Sequence, residues 1–525
     1  MRPYLCIVLL TLCVGTSILA ADEHNNAAVP GNELPFVSPI HYRPRVGSLG
    51  DTNPFYWKGE YHIFYLHGVD HVPWEHIVSK DLVHWKELPT ALVADGAADS
   101  ADGMWMFTGC VIEKDGQFHI FYTGCNPSNP KGTQFVMHAT SADLIRWTKH
   151  PEDIFGPDGE LYANSRERDF RDPCVFWNEE AQEYWMVLCA GDRKTGRQGL
   201  AISKDLATWK LAPPLNAQNQ ECPDLFKIGD TWYLLNADTY AYSKTLHGEF
   251  KTPPVQNVID RPCVYAGKQM FDGRRHVWTG WISDSDNGRD VGGFFNRLTW
   301  GGTQCSPREL YAGPEGQLYQ RPVDEVTAMF SKPIMRLADQ PAITRLHGSW
   351  AYEGAALIGQ SGDISAACAV PSPDHYMLEC SVLLDPQATL TITMRQQPNG
   401  VDGYNFVLRP KCQEAELGSP GLPGFRYTRR CTLDTDKPIK FQAFVQGTII
   451  ECFVNDQFAY SCRAYNYPKG TLGLKVEDGK AKVLQLAVKT YEEDVRLSSS
   501  PRPSDGRGAG DEGGRNCQKA IILSP

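Results

Sequence analysis

A seven-residue string recurs along this chain at a fixed spacing, and the repeat restricts the possible folds more than any other feature. Residues 79–85 (SKDLVHW), 141–147 (SADLIRW) and 203–209 (SKDLATW) share the pattern Ser-x-Asp-Leu-x-x-Trp and begin 62 residues apart, and a degenerate fourth copy begins at Ser243. A fixed period of this length indicates one supersecondary unit repeated in space. We interpret the string as structural, with its Asp capping a turn and its Trp packing between units.

Short apolar and aromatic strands are predicted between the copies, each following turn residues. They cover residues 59–65, 116–122, 183–188, 230–234 and 275–278. A β-sandwich would also contain many short strands, but the regular repeat favours radially arranged sheets. The sequence therefore predicts an all-β chain whose residues 34–330 form a five-bladed β-propeller.

The pattern changes after about residue 330. Residues 345–492 alternate apolar and polar side chains, as in 390–394 (LTITM) and 449–454 (IIECFV), which predicts a following β-sandwich domain. Residues 493–525 are rich in Ser, Pro, Gly and charge, and are predicted to be a disordered tail.

The first residues resemble an export signal. Arg2 is followed by an apolar run over residues 5–14 and by small residues up to Ala20, so residues 1–20 are predicted to be a cleaved signal peptide. The alternatives are an uncleaved anchor, which would need about 20 apolar residues, and lipid attachment at Cys13. The prediction is a secreted or periplasmic protein without a membrane span once the signal is removed.

Composition excludes some classes of partner. A net charge of −11 argues against nucleic acid, whose binding needs a basic face. No Cys-x-x-Cys pair occurs among the 16 cysteines, so the sequence predicts no metal site and no cofactor. In an oxidising compartment some disulfides are expected, and candidates for pairing are Cys412, Cys431, Cys452 and Cys462.

Three acidic segments are candidates for catalysis. Residues 50–53 (GDTN), 171–173 (RDP) and 221–224 (ECPD) each stand just before a short aromatic strand. The innermost strand of every propeller blade lies against the central axis, so Asp51, Asp172 and Glu221 would meet there. Three such carboxylates suit cleavage of a glycosidic bond, whereas the alternative is that they only cap turns.

These segments resemble glycoside hydrolase family 32, the invertases, levanases, inulinases and related fructosyltransferases, over residues 41 to about 491. The matches fall in the family's order at residues 41–44, 51–53, 74–85, 107–110, 171–173, 221–226, 273–281 and 307–310. Six or more weak motifs in register make a specific signal. The resemblance implies a five-bladed propeller joined to a β-sandwich, and cleavage of β-fructofuranosyl bonds with retention.

The resemblance also implies roles for particular residues. Asp51 would be the nucleophile, Glu221 the acid/base, and Asp172 the acceptor for two sugar hydroxyls, with Arg171 orienting the carboxylates. Further candidate substrate-binding residues are Asn53, Trp74, Phe107, Thr108, Tyr265 and Trp281. Trp74 and Trp281 would either stack on sugar or fill the core between blades.

The chain departs from the family pattern beside the nucleophile. Gly50 replaces the family's Asn, Thr52 and Pro54 replace a Pro and a Gly, and Leu66 stands where Gln is common. We therefore predict a retaining hydrolase of β-fructofuranosyl linkages in sucrose, levan or inulin, acting by double displacement on a small or polymeric carbohydrate. The alternatives are a fructosyltransferase, a hydrolase of another furanoside, and a non-catalytic fructan-binding homologue.

Overall fold

A computed structural model of the chain describes residues 38–68, 72–191, 194–255, 258–260, 262–285, 298–362 and 365–491. The predicted signal peptide (1–20) and the predicted tail (493–525) lie outside these residues. Within the described ranges, no helix has the length and apolar character needed to cross a membrane.

Four antiparallel sheets follow one another along the first part of the chain, and in each of them every strand pairs with the next strand in sequence. Blade 1 contains β1 (Leu49–Trp57), β2 (Glu60–His67), β3 (Trp74–Ser79) and β4 (Lys86–Glu87). Blade 2 contains β5 (Trp105–Lys114), β6 (Gln117–Cys125), β7 (Gln134–Ser141) and β8 (Thr148–Lys149). Blade 3 contains β9 (Phe170–Asn178), β10 (Glu183–Ala190), β11 (Arg197–Ser203) and β12 (Lys210–Gln218). Blade 4 contains β13 (Asp224–Ile228), β14 (Thr231–Leu235) and β15 (Tyr240–Ser243).

Blade 5 closes the ring. Its strands are β16 (Val264–Phe271), β17 (His276–Ser285), β18 (Leu298–Gln304), β19 (Arg308–Ala312) and β20 (Leu318–Pro322). Strand β18 pairs with β17 on one side and with β1 on the other, so one continuous sheet joins the last blade to the first. The five strands expected from the apolar pattern are β2, β6, β10, β14 and β17, the second strand of each blade, which confirms the predicted propeller.

The repeated string makes the same turn in blades 1, 2 and 3. Its Ser is the last residue of the third strand, and the carboxylate of its Asp accepts backbone N–H bonds further on. Asp143 shows the pattern, since its Oδ1 accepts from the amides of Ile145 at 3.0 Å and Arg146 at 2.8 Å. These bonds confirm that the string is a structural turn.

The Trp of the second and third strings packs against the preceding blade. The ring of Trp147 meets Phe64 edge-on at 5.8 Å, and Trp209 meets Phe121 edge-on at 5.5 Å. Offset and edge-to-face aromatic pairs stabilise cores beyond the area they bury. The repeat therefore fixes both the turn within a blade and the contact between blades.

Two further antiparallel sheets face each other as a β-sandwich. The first contains β21 (Lys332–Arg336), β23 (Ser349–Glu353), β24 (Ala356–Gln360), β26 (Tyr376–Leu384), β31 (Ile439–Gln446), β32 (Ile449–Val454), β33 (Phe458–Arg463) and β35 (Lys480–Thr490). The second contains β22 (Thr344–His347), β25 (Ala366–Val370), β27 (Thr389–Gln396), β28 (Tyr404–Arg409), β29 (Glu414–Gly418), β30 (Arg426–Arg430) and β34 (Thr471–Glu477). The first strand of this region begins at Lys332, ahead of residue 345, and a short helix α1 (Asp324–Ala328) precedes it.

Alternation of side chains explains the sandwich core. Leu378, Ile392, Phe406 and Phe441 come from both sheets and belong to one cluster of fully buried apolar residues. Burial of such side chains contributes roughly 1.5–3 kcal/mol each. The chain is thus all-β, a five-bladed propeller followed by a sandwich, as predicted.

In the part of the chain that it describes, the structure does not show disulfides at three of the four candidate cysteines. Among the candidates for pairing, Cys412, Cys431 and Cys452 are free thiols. Cys412 is exposed and the other two are buried, where a thiol packs as a small apolar side chain.

Candidate active site

Bulges at the start of the inner strands shape the mouth of the propeller axis. The pairing register shifts at Leu49/Thr52 in β1, at Phe107/Gly109 in β5 and at Tyr265/Lys268 in β16. In β9, a shift opposite Val187/Cys189 places Asp172 in the bulge. A bulge re-aims side chains that regular pleating would point elsewhere, and here it turns one group from each of four blades towards the same place.

Two of these positions have an unusual backbone. Asp172 has a φ of 58° and Cys222, in the loop before β13, has a φ of 51°. Non-glycine residues in the left-handed region carry a conformational cost and cluster at functional sites. A hydrogen bond joins the two, because the Cys222 amide donates to Asp172 Oδ2 at 2.9 Å.

Asp51 is buried, and besides the more distant Cys222 thiol, 3.7 Å from Oδ2, two closer donors hold its carboxylate. The Thr108 hydroxyl donates to Oδ2 at 2.5 Å, and the Trp281 indole N–H donates to Oδ1 at 2.9 Å. Burial raises the pKa of Asp51 above its usual value, although the bonds from Thr108 and Trp281 and the charge of Lys268 lower it. The two donors fix the direction of the carboxylate.

Asp172 lies deeper than the other acids and is only 2% exposed. Its backbone amide donates to the Thr123 hydroxyl at 2.8 Å, and Arg171 Nε lies 3.4 Å from its Oδ2. Burial raises the pKa of Asp172 to about 6, with the neighbouring arginine acting in the opposite direction.

Glu221 stands at the solvent edge of the site, with 38% of its side chain exposed. Arg171 Nη2 lies 3.0 Å from Oε2, and the Tyr265 hydroxyl donates to Oε1. The ring of Tyr265 packs edge-on against Trp281 at 5.7 Å, so the groups that hold Glu221 and Asp51 touch each other.

Arg171 is the cation at the centre of this cluster. It pairs with Asp172, Glu221 and the more exposed Asp169. A guanidinium presents several N–H donors in a fixed plane, so one side chain can orient several carboxylates. The structure therefore brings together seven of the residues predicted from the sequence, namely Asp51, Asp172, Glu221, Arg171, Thr108, Tyr265 and Trp281.

The other three predicted binding residues lie elsewhere or in other roles. Asn53 is 1% exposed and braces the backbone, accepting from the Gly109 amide at 3.1 Å and donating to the carbonyl of Asp51 at 3.4 Å. Trp74 is fully buried against Tyr122 in the core between blades, which favours its packing role. Phe107 is half-buried and stacks on Trp105 beside Thr108.

Trp300 is a residue of this region that the motifs do not reveal. A Cβ atom added at Gly50 would lie 2.0 Å from the Trp300 ring, so the indole covers the backbone next to Asp51. The same ring lies 5.5 Å from Trp281. The glycine at position 50 is thus explained by the tryptophan that occupies the space of its side chain, whereas Leu66 belongs to the apolar core between blades 1 and 2.

The profile described as "Glycosyl hydrolases family 32 N-terminal domain" matches residues 41–322, which is more than half of the chain. The chain belongs to glycosyl hydrolase family 32. The resemblance inferred from the motifs is therefore confirmed.

Individual members of family 32 are distant in sequence. The "Beta-fructofuranosidase, insoluble isoenzyme 1" of Oryza sativa subsp. indica is 27% identical over 386 residues, which cover 64% of this chain and 65% of the rice protein. The "Sucrose-6-phosphate hydrolase" of Escherichia coli is 26% identical over 483 residues, covering 83% of this chain and 90% of that protein. The crystal structure of exo-inulinase from Aspergillus awamori has a TM-score of 0.67 at 20% identity, covering 88% of this chain and 99% of the inulinase, which shows the shared fold.

Proposed function

We propose that this protein is an exported, retaining glycoside hydrolase that cleaves β-fructofuranosyl linkages by double displacement. The observation that carries the proposal is the difference between two carboxylates at one site. Asp51 is buried between the donors Thr108 and Trp281, whereas Glu221 is partly exposed between Arg171 and Tyr265. A fixed nucleophile and a solvent-accessible proton donor are the two groups that a retaining glycosidase needs.

In the first step, an Asp51 oxygen attacks the anomeric carbon of the fructosyl unit. The bond from that carbon to the leaving oxygen breaks, and the leaving oxygen takes the proton of Glu221. The products are a fructosyl ester on Asp51, a Glu221 carboxylate and the released alcohol.

In the second step, the Glu221 carboxylate takes a proton from water, whose oxygen attacks the same carbon. The ester bond to Asp51 breaks, and fructose leaves with its original configuration after two inversions. Asp172, held by Cys222 and Arg171, accepts hydrogen bonds from sugar hydroxyls during both steps.

The names of the relatives support the substrate class. The rice protein is a beta-fructofuranosidase, the Escherichia coli protein a sucrose-6-phosphate hydrolase and the Aspergillus awamori protein an exo-inulinase. All three names concern a fructosyl unit joined to another sugar. We therefore assign a β-fructofuranosyl group to the subsite that contacts Asp51.

Export is proposed on separate grounds. The apolar start of the chain, residues 5–14, supports it. Expression of the full chain with N-terminal sequencing of the exported product tests it. Cleavage after Ala20 is expected, and an intact Met1 on a protein retained inside the cell would contradict it.

Release of fructose from sucrose, inulin and levan tests the reaction. The parent is expected to release fructose, and Asp51→Asn and Glu221→Gln are each expected to lose at least about a thousandfold in kcat/KM. Glu249→Gln, an exposed glutamate, is the matched control and should match the parent. A folded parent that binds fructan without cleaving it would overturn the proposal in favour of a binding protein.

Added methanol separates the remaining alternatives. Methanol in place of water traps the fructosyl ester, and retention predicts methyl β-fructofuranoside in the NMR spectrum. The α-anomer would contradict double displacement. Longer fructans formed from sucrose would identify a transferase instead of a hydrolase.

A further inference from the structure

A buried lysine, Lys268, lies on the inner strand of blade 5, three residues after Tyr265. Lys268 is 3% exposed, and its Nζ donates to the carbonyl of Gly109 at 2.7 Å. Lys268 belongs to blade 5 and Gly109 to blade 2, and blade 1 lies between them in the ring. The bond therefore joins the inner strands of blades 5 and 2, which lie on either side of the inner strand of blade 1.

This bond joins a network that ends at Asp51. Gly109 directly follows Thr108, whose hydroxyl donates to the Asp51 carboxylate. The Gly109 amide donates to Asn53 Oδ1, and the Asn53 amide donates to the carbonyl of Asp51. A Cβ atom at Gly109 would lie 1.8 Å from the Phe121 carbonyl, so this bulge is tightly packed.

We propose that Lys268 is a positioning residue of this active site, which holds the bulge that aims Thr108 at Asp51 and supplies a fixed positive charge to the buried carboxylates. The inference rests on the proposed function and extends it to a residue that does not touch the sugar.

The charges around Lys268 fit this role. Its neighbours are the buried Asp224, the buried thiols of Cys174 and Cys222, and the partly exposed Cys110. Burial opposes the charged form, but Cys174 and Asp224 raise the pKa of Lys268 above its usual value, so the side chain stays a cation. Burial raises the pKa of Asp224 to about 6, and Lys268 lowers it.

The same charge acts on the nucleophile. Among the charged groups facing Asp51, Glu221 raises its pKa and Lys268 lowers it. A positive charge favours the ionised form of a carboxylate, and Asp51 must be ionised to attack. Removing the charge should therefore raise the pKa of Asp51 and shift the acidic limb of activity to higher pH.

A nearby lysine offers a matched control. Lys227 lines the same cavity of about 480 Å³ as Lys268 and Asp224, on the inner strands. It differs in being exposed, with its ammonium 5.5 Å from the centre of the Trp232 ring. Both lysines thus place a positive charge at this cavity, but of the two only Lys268 donates to Gly109, in the bulge after Thr108.

The test compares Lys268→Met and Lys227→Met in the full chain. Asp51 is titrated by ¹³C NMR with labelled aspartate carboxyls, its signal being assigned by its loss in Asp51→Asn, and the pH profile of kcat/KM is measured beside it. Lys268→Met is expected to raise both midpoints by about one pH unit and to lower kcat/KM at least about tenfold. Lys227→Met should leave both midpoints and kcat/KM as in the parent.

A second pair of variants guards against misfolding, because Lys268→Met leaves Asp224 unpaired. Asp224→Asn is compared with Asp224→Asn/Lys268→Met, and the Asp51 midpoint should be higher in the double variant. An unchanged midpoint in this pair overturns the inference. The NMR titration needs no turnover, so an inactive parent would overturn the proposed function while the role of Lys268 is still decided.

Discussion

At the scale of single residues, the buried acid Asp172 makes stability depend on pH. Its pKa is raised by burial to about 6, compared with about 3.9 for an unfolded chain. The protonated form is favoured in the folded state, so this group's contribution to stability is complete below about pH 4 and is lost as the pH rises through 6. Ionisation of Asp172 at neutral pH thus lowers the stability of the folded chain.

We expect Asp172→Asn to remove this dependence. Between pH 4 and pH 7, the free energy of unfolding of the parent should fall by about 3 kcal/mol more than that of the variant, because two pKa units correspond to about that energy. Urea unfolding at the two pH values measures the change. Asp169→Asn, which alters an exposed partner of the same Arg171, should follow the parent within about 1 kcal/mol. An identical pH dependence of parent and Asp172→Asn would contradict the assignment.

Gly50 and Trp300 form a second pair whose coupling can be measured. Gly50→Ala would place a Cβ atom 2.0 Å from the Trp300 ring, and we expect a loss of about 1–3 kcal/mol in unfolding free energy. In a Trp300→Ala background the same change should cost less than about 1 kcal/mol, since the obstacle is gone. Gly362→Ala, where an added Cβ meets nothing within 4 Å, is the control. Equal costs in both backgrounds would show that the ring can move aside.

The acidic residues of the site could be predicted from the sequence, whereas the contacts that surround them could not. Asp51, Asp172 and Glu221 stand in recognisable strings, so their meeting on a propeller axis could be predicted. The contact of Gly50 with Trp300 and that of Lys268 with Gly109 join distant positions without a shared motif. Such contacts depend on the bulges, whose register shifts leave no pattern in the order of residues.

At the scale of elements, the repeated turn is the feature that the sequence predicts best. Asp81, Asp143 and Asp205 accept the same backbone bonds in three blades, because a short carboxylate can reach the amides two and three residues ahead. The Leu that follows each Asp has a φ of 63°, 62° or 71°. That left-handed backbone is unexpected for leucine and is held by burial of its side chain.

We expect Asp143→Ala to lower the free energy of unfolding by about 1–2 kcal/mol, because two backbone bonds lose their acceptor. Asp143→Asn keeps an oxygen at the same place and should lose less than half as much. Urea unfolding of the three proteins at one pH gives the comparison. An equal loss of unfolding free energy in Asp143→Ala and Asp143→Asn would show that the charge of Asp143 stabilises the turn and that the position of its oxygen does not.

At the scale of the whole molecule, a buried network joins the propeller to the sandwich. Arg308 of β19 lies 2.6 Å from Asp260 and 2.7 Å from Glu451 of β32, and donates to the Ser461 hydroxyl of β33 at 2.8 Å. Glu451 also contacts His41 at 2.8 Å, near the start of the described chain. The sequence predicts two β domains in order, but the partners of this network lie up to 410 residues apart and could not be predicted from it.

The network predicts that the propeller and the sandwich are stabilised together. Arg308→Met would leave Asp260 buried without its cation and Glu451 with His41 as its remaining basic partner, and removal of one partner from a buried ion pair costs about 3–5 kcal/mol. We expect that loss in urea unfolding followed by circular dichroism, which reports on both domains. The triple variant Arg308→Met/Asp260→Asn/Glu451→Gln should recover most of it, since no unpaired charge remains.

Arg321→Met is the matched control for this prediction. Arg321 lies on the neighbouring strand β20, is 43% exposed and pairs with Glu309, so its loss should cost less than about 1 kcal/mol. Tryptophan fluorescence adds a second probe, because only Trp350 among the 13 tryptophans lies in the sandwich. A loss in Arg308→Met no larger than in Arg321→Met, by both probes, would mean that apolar packing holds the two domains together without the charges.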